Sequence, residues 1–455
     1  MAKSEEFARA FLEKHPQVEL IELIFVDING VARGKWAKPE TLVKAFGGDL
    51  RLPRSSYVSD IWGDTAKVEG LGMQAGDIDG LCEPVSHSLG MMNWFSRPAA
   101  QCLLSMNEFD GTPFYADPRQ VLKRVLDRYE ADGLRPVIAL ELEFYLIDQE
   151  LKPNGHPQMP FIPGSNQRYS ETQLLDLQQM QDFDALFAAI DTACNQLNIP
   201  AETAIKEESP GQFELNLHHQ NDALRAADQA FLLKRIIKGC ARQHGYTATF
   251  MAKPFSNWSG SGMHMHASVI DNNNTNIFRQ HKGQPEKAYA HAIAGLLQTS
   301  PEMMAFFAPH SNSYRRFGDS KSLAPNTLSW GQENRTALIR LPMADEAGTR
   351  IEYRLPGADA NPYLLVAGIL AGMFHGMSSK ENLQAETVGN AQDQHAPELL
   401  VSWQEAVDRA TESKFVEDYF GHRFQHCFSK IKQAEINRFA SRITDFEYHS
   451  YLRYV

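Results

Sequence analysis

Acids, histidines and arginines recur at alternate positions in four separate stretches of this 455-residue chain. In "PVIALELEFYLID" one set of positions, Ile138 to Leu146, is apolar, and the other carries Glu141 and Glu143. A strand has a period of two, so the two carboxylates are same-face neighbours about 6.6 Å apart along it. So placed, they repel unless cations or water lie between them. "GQFELNLHH" sets Phe213, Leu215 and Leu217 against Gln212, Glu214, Asn216 and His218. "GSGMHMHAS" sets Met263 and Met265 against His264 and His266. "TRIEYRLP" sets Ile351, Tyr353 and Leu355 against Arg350, Glu352 and Arg354. A half-exposed antiparallel sheet accounts for any one of these strands. Four polar faces of this composition, where solvated faces usually show Thr, Lys and Ser, point instead to hard, oxygen-preferring Mg²⁺ or Mn²⁺ more than to zinc. Spacing alone does not place the four strands in one sheet.

Arginines crowd the same third of the chain: Arg315 and Arg316 in "NSYRRFG", Arg335 and Arg340 in "ENRTALIRLP", then Arg350 and Arg354. Guanidinium forks suit carboxylates and phosphates, and arginines beside metals form a phosphoryl-transfer constellation. For Arg315 alone, surface salt bridging is the better explanation. The Walker pattern G-x-x-x-x-G-K-[ST] is absent, so an ATP site here is not a P-loop.

The elements that must carry these residues divide near residue 113. "VELIELIFVDINGVARGKW" reads as two strands turning at Asn29-Gly30, and the Gly- and Pro-rich segment that follows suits a small β-rich domain, residues 1–113. "DPRQVLKRVLDRYEADG" then predicts a helix capped by Asp117, opened by Pro118 and ended by Gly133. Mixed strands and helices fill residues 114–455, the last part helical and charged. With 43% apolar and 22% charged residues, the composition is that of a soluble globular protein. A net charge of -12 argues against nucleic acid and anionic membranes as partners. The five cysteines are scattered and lack C-x-x-C spacing, which suggests neither a disulfide framework nor structural zinc. The start has no signal-peptide core, and the apolar run Leu364 to Phe374 is too short to span a bilayer, so a cytoplasmic protein is expected.

"ELEF", "EESPGQFE", "KPFSNWSGSGMHMHAS", "NSYRRF", "ENRTALIRLP" and "RIEYRLPGADANPYL" stand in an order and spacing that resemble the glutamine synthetase family, over nearly the whole chain. The resemblance implies an α+β protein: an N-terminal β-grasp domain, then a catalytic domain whose curved, mainly antiparallel sheet is flanked by helices. It implies a homo-oligomer, commonly a dodecamer of two stacked rings, with sites shared between subunits. Two or more Mg²⁺ or Mn²⁺ ions per site are implied, with ATP as co-substrate. Carried over by motif, Glu143, Glu207 and Glu214 would hold one ion; Glu141, His264 and Glu352 would hold the other. Glu207 is preferred to Glu208 on the spacing of the motif. His266 and Ser268 would contact the nucleotide; Gly260, Arg316 and Arg354 would bind glutamate; Arg335, Arg340 and Arg350 would face the phosphates. Arg335, Arg354 and Glu352 are the residues expected to take part in the chemistry. The implied reaction phosphorylates the glutamate side-chain carboxylate, and an amine then displaces phosphate to leave a γ-amide.

Two departures bear on the amine. Ammonia-using members carry an acid just before the "A-P" that follows N-S-Y-[KR]-R, where this chain has Leu323, and an Asp before Gly-Ser-Ser, where it has Pro53. Without both acids the entrance is more apolar and better suited to an alkylamine. The pattern resembles the glutamate–amine ligases of the family, those acting on putrescine and other polyamines above all. Tyr57, Trp62 and Leu323 are candidates for the amine-side wall, and Asp60 and Asp64 for a distal ammonium. A true glutamine synthetase, a metal-dependent amidohydrolase and a non-enzymatic relative that keeps the fold remain the rival readings.

Overall fold

The computed structural model describes residues 2–317, 323–393, 397–399 and 402–455. Near the N-terminus β1 (Leu20–Val26) and β2 (Ala32–Ala37) form an antiparallel hairpin, with Gly30 at φ +76° in the turn. With β3 (Arg51–Pro53), β4 (Asp79–Pro84), β5 (Gly90–Met92) and β6 (Ala99–Asn107) they build a mixed sheet of order β2-β1-β6-β4-β3, β5 lying against β6. The β1–β6 pair is parallel, and an amphipathic helix, Pro39–Phe46, buries Leu42, Ala45 and Phe46. This is the β-grasp-like unit expected.

The helix Pro118–Ala131 follows, its first turn capped by the Asp117 carboxylate on Arg119 N. The second sheet is then laid down on one long strand, β7 (Leu134–Asp148). Around it lie β9 (Gln212–Asn216), β10 (Tyr246–Thr249) and β11 (Met263–Asp271), with β8 (Ile205–Lys206) beyond β9. A separate two-stranded ribbon, β12 (Arg279–His281) with β13 (Gln284–Glu286), precedes the last strands of the sheet. These are β14 (Trp330–Gln332), β15 (Ile339–Leu341) and β16 (Ile351–Tyr353). The order is β14-β15-β16-β11-β7-β9-β8, with β10 also on β7 and every pair but β14–β15 antiparallel. The four strands singled out by their alternation are therefore consecutive, β16-β11-β7-β9. Their apolar residues are buried almost without exception, so the acids and histidines share the other face.

Helices cover the apolar face. The run Leu364–Phe374 lies inside the buried helix Pro362–Ser379, which packs on Lys287–Phe307 where Gly295 meets Gly372 and Gly376 backbone to backbone. Among the described residues no helix is long and apolar enough to cross a membrane. All five cysteines are buried and free. Helices Trp403–Glu412, Lys414–Phe420, His422–Ala440 and Asp445–Tyr451 close the chain.

The third of these reaches back to the first sheet. Lys432 and Glu435, one turn apart on His422–Ala440 and both wholly buried, pair at 2.9 Å. Lys432 Nζ also donates to Asn29 Oδ1 at 2.5 Å, while Glu435 accepts from Asn29 Nδ2 at 2.9 Å and from Ile61 N at 2.8 Å. The Asn29-Gly30 turn is thus held by a helix that begins about four hundred residues later.

Candidate active site

Cross-strand register sets the site in rows. His264 on β11 lies opposite Glu141 on β7, which lies opposite Asn216 on β9. One row along, Glu143 faces Glu214. In the other direction His266 faces Glu352 on β16, and Glu352 faces Arg340 on β15. Ala139 is the residue beside His266 on β7, and its small side chain leaves the imidazole room.

Two groups of potential metal ligands result, each with ligand atoms within 4.8 Å of one another: Glu141, His264 and Glu352, and Glu143, Glu214 and His264. The first matches the set expected from the resemblance. In the second, His264 stands where Glu207 was expected. Glu207 lies outside both groups, yet its charge helps to raise the Glu143 carboxyl. His264 is buried against both glutamates, Nδ1 at 3.3 Å from Glu141 and Nε2 at 3.7 Å from Glu143.

Electrostatics supports a cation between these acids. Burial, then Glu207, pushes Glu143 up to about 8; burial, then Glu141, Glu143 and Glu207, pushes Glu214 up to about 9. Carboxyls raised in this way are short of positive charge. Glu141 goes the other way: burial works against it, but hydrogen bonds from His264 and His266 hold it well below the usual range. The buried Asn216 Oδ1 and Gln212 Oε1 have no hydrogen-bond partner. Carboxylate oxygens with one imidazole fit hard divalent ions of the Mg²⁺ and Mn²⁺ type.

The arginines are fixed around this centre. Glu352 accepts from Arg340 at 2.6 Å and from Arg354 at 2.6 Å. Arg340 also reaches Glu333 at 2.8 Å. Arg350 Nε–H donates to His266 Nδ1 at 3.1 Å, which leaves the His266 proton on Nε2, 2.7 Å from Glu141 Oε1. The buried Arg316 donates to the carbonyls of Leu355, Pro356 and Arg354. A Cβ on Gly260 would lie 2.7 Å from Ala252 O and 2.7 Å from Arg316 Cγ, so that position is closed to side chains. Arg335 is exposed and acts on Glu207 by charge alone, and Arg315 is exposed.

A cavity of about 1150 Å³ opens over this face, lined among others by Glu141, His266, Ser268, Arg340 and Arg350. Four of the five residues expected to meet the nucleotide share it; Arg335 does not line it. Gln212 was missed as a site residue, although it stood on the polar face of its strand. Its Nε2 bridges Glu143 Oε2 at 3.4 Å and Gly260 O at 3.0 Å, linking the second ligand group to the loop before β11.

The amine-side candidates fare differently. Tyr57 is wholly buried, its ring 4.4 Å from Phe25 and 5.6 Å from Phe114, inside the first sheet's core and not on a wall. Trp62 is half exposed, but its faces are taken by Phe439 and by Arg438, whose guanidinium carbon is 4.2 Å from the ring. Asp60 is used up by its own turn, accepting from Trp62 N and Asp64 N, and Asp64 pairs with Arg438 at 2.7 Å. Leu323 is exposed, next to residues 318–322 of "RRFGDSKSLAP", which lie outside the described residues.

Comparison with known proteins agrees with this geometry. Residues 115–451 match the family model for the glutamine synthetase catalytic domain. The γ-glutamylputrescine synthetase PuuA of Escherichia coli K12 is 37% identical over 96% of this chain and 93% of its own. A glutamate–isopropylamine ligase of a Pseudomonas species is 31% identical over 98% and 97%. The solved structure of the GmaS/ADP complex superposes with a TM-score of 0.84 at 26% identity, covering 97% of this chain and 99% of that one. By its motifs, its sheet and these matches, the chain belongs to the glutamine synthetase family of ligases.

Proposed function

We propose that this protein joins the γ-carboxylate of glutamate to an organic amine, putrescine or another polyamine, at the expense of ATP. The observation that carries the reading is the pair of glutamate–histidine groups on one sheet face, beside a cavity lined by Arg340, Arg350 and His266. Pro53 and Leu323, at positions where ammonia-using relatives carry acids, favour an organic amine over ammonium, as do the names of the two relatives above.

In this reading Glu143 and Glu214, with Glu207 beside them, would hold one divalent ion, and Glu141, His264 and Glu352 would hold the other. Such ions, when bound, supply charge that neutralises phosphate and carboxylate oxygens. The chain does the rest by positioning. Arg340 and Arg350 hold the nucleotide phosphates, with Arg335 near the transferring group, and His266 and Ser268 steady the nucleotide. Gly260, Arg316 and Arg354 place glutamate so that its side-chain carboxylate meets the terminal phosphorus. The phosphoryl group moves to that carboxylate, and ADP leaves. The amine nitrogen then attacks the acyl carbon, phosphate departs, and the nitrogen loses a proton. Residues 114–455 form the catalytic domain and residues 1–113 the β-grasp domain. Assembly into a cytoplasmic double-ring homo-oligomer belongs to the same proposal.

Phosphate release from Mg²⁺–ATP and glutamate tests it, with ammonium compared with putrescine, spermidine, ethanolamine and monoamines. Release that requires an organic amine, with the γ-glutamyl product seen by mass spectrometry, is the expected result. Full turnover on ammonium alone would make this a glutamine synthetase instead.

A further inference from the structure

Glu208 has no part in either ligand group, yet it stands one residue from Glu207 and its carboxylate is exposed. Its hydrogen bond is to a hydroxyl, Ser259 Oγ at 2.9 Å, rather than to a cation. Ser259 is held in turn, its N donating to Ser209 Oγ at 2.9 Å and its carbonyl accepting from Tyr145 OH at 2.6 Å. It immediately precedes Gly260, whose carbonyl shares Gln212 Nε2 with Glu143. A short chain of contacts therefore runs from the Glu208 carboxylate to the second ligand group, which sets Glu208 at the rim of the site.

Apolar surface adjoins it. Gln173 N donates to Glu208 O at 3.0 Å and Leu175 N to Lys206 O at 3.1 Å, so the backbone at Leu174 runs beside Glu207. Leu174 and Leu175 are 62% and 63% exposed, and Leu175 adopts φ +59°, a left-handed conformation that costs a leucine energy. Two leucines left open on backbone that pairs with residues 206–208 match an alkyl chain that ends in an ammonium group. Asp60 and Asp64, by contrast, have their carboxylates engaged.

We infer that Glu208, oriented by Ser259, receives the distal ammonium of a diamine or polyamine, with Leu174 and Leu175 against its methylenes. This rests on the amine-ligase reading and adds the charge selection that separates diamines from monoamines.

The test compares putrescine with n-butylamine, which has the same four-carbon chain and no second nitrogen. In Glu208→Gln, kcat/KM for putrescine relative to n-butylamine falls roughly 10- to 100-fold, as expected for loss of a hydrogen bond between charged groups. Ser259→Ala lowers the ratio in the same direction by less, and Leu174→Asp weakens both amines. Equal losses on the two amines would overturn the assignment. So would a rise in KM for glutamate with the amine ratio unmoved, which would give Glu208 to the glutamate ammonium instead. If the unaltered enzyme uses ammonium and neither organic amine, the amine-ligase reading itself falls, whatever the variants do.

Discussion

Glu143 and Glu214 oppose each other across β7 and β9, and burial with neighbouring carboxylates raises both, to about 8 and about 9 from an ordinary 4.5. In metal-free protein each holds its proton more tightly folded than unfolded. The stability they contribute is complete below about pH 4.5 and is lost as the pH rises towards the folded values. Glu214→Gln fixes one site in its neutral form. The variant's Tm in chelator should therefore exceed that of the parent by a margin that widens from about pH 5 to about pH 9, and Mg²⁺ should close the gap by stabilising the parent. A margin independent of pH would mean that burial does not raise these carboxyls in the folded protein. Residue types were the most legible part of this site, because alternation along a strand assigns a face without any knowledge of neighbours. The exceptions lie where no period operates. Glu207 and Glu208 are adjacent in a loop, and Tyr57 sits in a segment whose partners, Phe25 and Phe114, are distant in sequence.

At the scale of elements, β7 is the common spine: β9 and β11 flank it, and their register converts four separate alternations into one polar surface. The strands themselves could be read from the sequence, as could the helix capped by Asp117. Their lateral order could not, since pairing between strands distant in sequence is decided by tertiary packing. The entrance to β11 is closed to side chains. A Cβ at Gly262 would stand 2.7 Å from Arg316 Nη2 and 2.8 Å from His264 Nε2, so a single methyl group displaces the arginine proposed to bind glutamate and a candidate metal ligand together. Gly262→Ala should fold with an unchanged circular dichroism spectrum and lose roughly 100-fold or more in kcat/KM, the cost of misplacing reacting groups by about an ångström. Near-parental activity would show that Arg316 and His264 can shift without consequence.

At the scale of the whole molecule, a C-terminal helix is joined to the first sheet by a link that composition and periodicity gave no sign of, because Lys432 and Glu435 look like a solvated helical pair. Both are at 0% exposure, and beyond their own ion pair they bond to Asn29 and Ile61. Removing one member of a buried pair strands the other charge. Lys432→Met should cost about 3–5 kcal/mol in urea denaturation, and Lys432→Met with Glu435→Leu should recover most of it, since the desolvation penalty then disappears from both sides. A double variant no more stable than the single would assign the stability to the hydrogen bonds with Asn29 and not to charge balance.

The same link has a consequence for biosynthesis. The first sheet draws its strands from residues 20–107, and its Asn29 turn waits for a lysine 403 positions further on. At about 5–20 residues per second, the ribosome needs roughly 20–80 s to deliver it. Throughout that interval the nascent first sheet carries an unfilled polar notch, available to chaperones. A chain released early, by a premature stop codon after residue 107 and before residue 433, should keep that notch open and become a substrate for proteolysis.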